Sequence, residues 1–110
     1  MSAWVMLSVA IVTEIAATMS LRASNGFTRL LPSIVVIAGY GLSFFLLSLV
    51  LKTLPVGMVY AIWSAVGIAA LAILGRLVWN DPLPPLAVVG LLLIVGGIVV
   101  LRVAVGTAER

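Results

Sequence analysis

Cysteine and histidine are both absent from the 110 residues. Their absence excludes disulfides, thiol chemistry and histidine-held metal sites. Charge is scarce as well, at 8% of the chain against about 25% in ordinary globular domains. Only three acidic residues occur: Glu14, Asp81 and Glu109. No G-x-x-x-x-G-K-[ST] phosphate loop is present, so ATP is not implied as an energy source. What the chain does have is apolar bulk, with 65% hydrophobic residues and a mean hydropathy of +1.40. A soluble domain of this length needs far more polar surface, so the reading is an integral membrane protein and not an enzyme. The net charge of +3 is dispersed over Arg22, Arg29, Lys52, Arg76, Arg102 and Arg110, near the ends of apolar runs. That placement suits membrane anchors and argues against a nucleic-acid partner.

Hydropathy divides the chain into four stretches, residues 3–21, 31–51, 56–79 and 86–105. Each approaches the ~20 residues that cross ~30 Å of hydrocarbon as a helix. Isolated strands would leave their backbone groups unsatisfied there, so helices are expected. Asn25-Gly26, Lys52 to Pro55, and the Asn80, Asp81, Pro82, Pro84, Pro85 cluster punctuate the runs. The expected architecture is all-α: a single four-helix transmembrane domain over residues 1–110. No soluble domain is expected before or after it, and the start lacks the basic residues of a secretory signal.

Four spans place both termini on one side. That side carries Lys52, Arg102 and Arg110; the other carries Arg22, Arg29 and Arg76. Orientation normally follows a Lys/Arg excess in cytoplasmic loops. Three against three leaves no excess, so insertion in both orientations is expected, with opposite copies pairing as an antiparallel dual-topology dimer.

Glu14 interrupts the first apolar run about 16 Å into its helix, close to the bilayer midplane. A carboxylate there costs roughly 2.5–3.5 kcal/mol on insertion scales and marks transport or proton traffic. Leu7, Ala10, Ile11, Ala17 and Thr18 share its face at helical spacing. The second span presents Tyr40, Ser43 and Phe44 on one face, and the third presents Tyr60, Trp63 and Gly67. Trp4 and Trp79 suit the interfacial aromatic belt; Tyr40, Phe44, Tyr60 and Trp63 lie deeper. Rings filling a bundle core would explain the aromatics alone. A buried carboxylate beside them suits an organic cation, held by charge and by cation–π attraction of roughly 0.5–2 kcal/mol per ring. Proton and cation would then compete for one negative charge.

These residues resemble the small multidrug resistance family of proton-coupled exporters over essentially the whole chain. The resemblance rests on Glu14, on Gly26, Phe27, Thr28, Arg29 and Leu30, and on the run from Pro55 through Gly57, Tyr60, Ala61, Ile62 and Trp63 to Ser64. It implies a four-helix protomer in an antiparallel homodimer of the bacterial inner membrane, exchanging protons for hydrophobic cations by alternating access. It implies that Glu14 binds both proton and substrate and that Trp63, Tyr60 and Tyr40 line the site. Phe44, Ser43, Thr18, Ala10, Leu7, Ile11, Ala17 and Trp4 complete the expected lining. Gly67 would lie near a hinge, and Gly90 and Gly97 at the dimer contact. The proton gradient would supply the energy, with no cofactor. Ala16, Thr18 and Tyr40 look like the quaternary-ammonium branch; Ala65, Ala17 and Trp4 stand where Gly, Gly and Tyr are common. Two alternatives stay open: export of guanidinium-type metabolites on the same architecture, and a non-transporting accessory subunit.

Overall fold

The computed structural model of the chain describes residues 2–108, with side chains from 2 to 105. Glu109 and Arg110, which enter the charge count, lie outside the described residues. Four helices follow one another: α1 (Ala3–Ala23), α2 (Leu30–Val50), α3 (Val56–Trp79) and α4 (Pro85–Ala108). All four are long and apolar enough to cross a membrane. They group into two compact units, residues 1–54 and 55–110.

In the first unit α1 and α2 form an antiparallel hairpin. Ser2 caps α1, its hydroxyl accepting from the Val5 N–H at 3.2 Å. α1 continues to Ala23, two residues past the expected end, so Arg22 lies in its last turn, where a cation favours the helix dipole. Ser24 then organises the reversal. Its hydroxyl donates to the Leu21 carbonyl at 2.7 Å and accepts from the Phe27 N–H at 3.1 Å. Its carbonyl accepts from the N–H groups of Thr28 and Arg29. Asn25, Gly26 and Phe27 all adopt left-handed backbone, with φ of 50°, 70° and 64°. Only Gly26 does so without steric cost. Ser24 is fully buried, so the turn is held by internal hydrogen bonds rather than by water.

The hairpin packs through small residues. A Cβ at Gly39 would stand 2.9 Å from the Ala17 Cβ and 3.3 Å from the Thr13 carbonyl oxygen. Glycine at this crossing lets α2 lie against the α1 backbone, the usual device where lipid supplies no hydrophobic drive.

In the second unit α3 ends at Asn80, whose left-handed backbone (φ 57°) turns the chain, with its N–H on the Gly75 carbonyl. The Arg76 guanidinium donates to the Asn80 side-chain oxygen at 2.6 Å. A Cβ on Gly75 would meet Asp81 Oδ2 at 2.7 Å, so the Asp81 carboxylate lies close against the α3 backbone where the turn folds back. Pro85 opens α4, a position where its missing N–H costs nothing. Ala65, Val66, Ala69 and Ala70 of α3 and Val95 and Ile98 of α4 border an apolar groove of about 290 Å³. α4 buries none of its span residues within the chain.

Candidate functional site

Glu14 sits at mid-length of α1 and is half-buried. One turn on, the Thr18 hydroxyl donates to Glu14 Oε1 at 3.0 Å. The same Thr18 oxygen lies 2.5 Å from the Tyr40 hydroxyl of α2. A threonine hydroxyl carries one proton. With that proton directed to Glu14, the Tyr40 O–H is the donor to Thr18. Two helices therefore contribute to one donor chain that ends on a carboxylate.

The Tyr40 ring continues into Phe44, one turn along α2, with ring centroids 6.0 Å apart and planes 13° from parallel. A stack of this kind contributes about 0.5–1.5 kcal/mol beyond area burial. Phe44 is 57% exposed. The first unit thus combines a carboxylate, two hydroxyls and a stacked aromatic pair.

Ser43 is placed differently from its neighbours. It is fully buried, and its hydroxyl donates to the Ala10 carbonyl at 2.7 Å. That carbonyl also accepts from Thr13 Oγ1 at 2.9 Å, beside the helical bond it makes one turn before Glu14. The Ser43 hydroxyl is spent on joining the helices. Leu7, Ala10, Ile11 and Ala17 are buried too, Ala17 in the close crossing with Gly39. Trp4 lies at the first turn of α1 and is 41% exposed.

Tyr60, Trp63 and Gly67 lie on one face of α3 in the second unit. Tyr60 is exposed, Trp63 half-buried and Gly67 buried. Ala65 borders the α3–α4 groove. Gly90 and Gly97 share a face of α4, and a Cβ at either would meet nothing within 4 Å. Three contributors escape sequence reasoning: Gly39, Ser24 and the Gly75–Asp81 contact. Small residues facing small residues hint at the first, and Ser-Asn-Gly at the second. Among the described residues no cluster of three His, Cys, Asp or Glu side chains is placed to hold a metal.

A family model described as Small Multidrug Resistance protein matches residues 2–94. The chain belongs to this family. It is 48% identical over 102 residues to the quaternary ammonium compound-resistance protein QacE of Escherichia coli, covering 93% of both chains. It is 47% identical, with the same coverage, to the quaternary ammonium compound-resistance protein QacF of Klebsiella aerogenes. A multidrug transporter of Pseudomonas aeruginosa is 43% identical, again over 93% of both chains. As a small multidrug resistance protein, the chain is a membrane transporter of the drug-resistance class rather than an enzyme. Its four apolar helices make it a multi-pass protein of the bacterial inner membrane.

Proposed function

We propose that the protein is a proton-coupled antiporter that exports hydrophobic, aromatic and quaternary ammonium cations by alternating access. The observation that carries this reading is the Glu14 carboxylate at mid-span, with the Thr18 hydroxyl on one oxygen and the Tyr40–Phe44 stack beyond it. The carboxylate holds either a proton or a cation. The rings suit a cation without N–H donors, because cation–π attraction needs no hydrogen bond. The resistance names of the relatives favour quaternary ammonium over guanidinium-type substrates. Tyr60 and Trp63 enter the proposal through their ring chemistry and their common face on α3. Gly67 enters as a flex point in that helix.

The working unit of the proposal is an antiparallel homodimer. The equal division of basic side chains between the two sides supports insertion both ways up. The open glycine face of α4 supports Gly90 and Gly97 as the contact. The inward proton gradient drives the cation outward, without a cofactor.

The test is uptake of a quaternary ammonium into liposomes driven by a pH gradient, with Glu14→Gln as control. Saturable uptake in the wild type and none in Glu14→Gln is expected. Gradient-driven transport by Glu14→Gln would overturn the reading.

A further inference from the structure

We propose that the Thr18 and Tyr40 hydroxyls are a proton relay serving Glu14, loading and unloading Oε1. This inference rests on the antiporter reading above and goes beyond it in assigning a route to the proton.

The geometry has three parts. Oε1 takes its hydrogen bond from Thr18 at 3.0 Å, and Thr18 is 2.5 Å from the Tyr40 hydroxyl. Every oxygen in the chain is therefore within hydrogen-bond reach of the next. Second, the relay crosses from α1 to α2, and the crossing is fixed on either side. Ser43 is bonded to Ala10 one turn before Glu14, and Gly39 is packed on Ala17 beside Thr18. Third, the neighbourhood is simple. Tyr40 is the only titratable side chain in α2; in α1 the only one besides Glu14 is Arg22, two turns further on. Arg29 and Lys52 flank the ends of α2.

The step balances without an added reactant. Loading begins when a hydronium ion gives its proton to Tyr40 Oη and leaves as water. The Tyr40 proton then moves to Thr18 Oγ1, and the Thr18 proton moves to Glu14 Oε1. Three O–H bonds form, three break, and one proton has entered. Unloading reverses each hop. With the Thr18 proton on Glu14 and the Tyr40 proton on Thr18, the donors point toward the carboxylate, the arrangement that precedes loading.

A transporter of this kind can be run in two modes. Proton-driven uptake needs the carboxylate to gain and lose a proton in each cycle. Exchange of labelled for unlabelled cation at a fixed pH needs only cation binding and the change of sides. Tetraphenylphosphonium in proteoliposomes serves as the probe for both. Thr18→Val keeps the shape and removes the hydroxyl; it should slow proton-driven uptake at least fivefold more than cation exchange. Thr18→Ser should return the ratio of the two rates to within twofold of wild type. Tyr40→Phe keeps the ring, removes the far end of the relay and should shift the same ratio in the same direction; it carries the test if Thr18→Val does not fold. Equal slowing of both modes, or Thr18→Ser behaving as Thr18→Val, would overturn the relay while leaving the antiporter intact. A folded wild type inactive in both modes would overturn the antiporter reading and the relay with it.

Discussion

Ser43 donates its hydroxyl to the Ala10 carbonyl at 2.7 Å, with both residues fully buried. An inter-helix hydrogen bond of this kind contributes about 0.5–1.5 kcal/mol net. Ser43→Ala is therefore expected to lower stability by about 1 kcal/mol, read as an earlier unfolding transition in detergent. The larger effect should be on stability, not on cation affinity. A variant of normal stability with lost affinity would assign the hydroxyl to the cation instead.

Gly39 and Ala17 form the closest approach of the hairpin, and a Cβ at Gly39 would come within 2.9 Å of the Ala17 Cβ. Gly39→Ala should cost about 1–3 kcal/mol, the usual range for overpacking. Ala17→Gly in the same chain should recover most of that loss by clearing the same space. Unfolding of the two single variants and the double variant checks this. Strict additivity would mean that the two positions do not touch.

Phe44 stacks on Tyr40 with ring centroids 6.0 Å apart and is exposed. Phe44→Leu retains apolar bulk and removes the ring. Loss of one ring should weaken binding of an aromatic quaternary cation by about 0.5–2 kcal/mol, or roughly 2- to 30-fold. Binding of tetraphenylphosphonium by calorimetry is the measurement. Unchanged affinity would remove Phe44 from the cation site.

Gly90 and Gly97 have open space where a Cβ would stand. Bulky residues there should leave the protomer folded and reduce dimerisation. Circular dichroism for the fold and cross-linking in membranes for assembly would separate the two effects. An intact dimer in Gly97→Leu would move the interface to another face.

The four helices are legible in the sequence because each apolar run is long enough to span and ends in polar or breaker residues. The start of α1 and both ends of α3 fall where expected, and the other ends shift by one to three residues: α1 runs on through Arg22 to Ala23, and α4 starts at Pro85. The first shift follows from Ser24, whose hydrogen bonds allow another half-turn before the chain reverses. Glu14 is legible because charge is rare here. Thr18 is legible as its neighbour, since four residues bring two side chains onto one helical face. The link to Tyr40 is not, because helical spacing fixes a face and says nothing of how a second helix is turned toward it. Ser43 shows the same gap. Its face is legible from the spacing with Tyr40, and its acceptor on α1 is not. A serine in an apolar helix must satisfy its hydroxyl, and the choice between its own preceding turn and a neighbouring helix is made only by packing.

The α1–α2 turn acts as a ruler. Ala10 and Ser43 are a pair set equally far on either side of it, and Thr18 and Tyr40 meet between that pair and the turn. An extra residue between Ser24 and Arg29 would have to be absorbed wholly within the turn. Passed on to α2, it would slide that helix by about 1.5 Å and rotate it by about 100°, carrying both hydroxyls away from their partners. Insertions in exposed loops are ordinarily cheap. Here the length of a polar loop outside the hydrocarbon fixes which oxygen atoms meet at its centre.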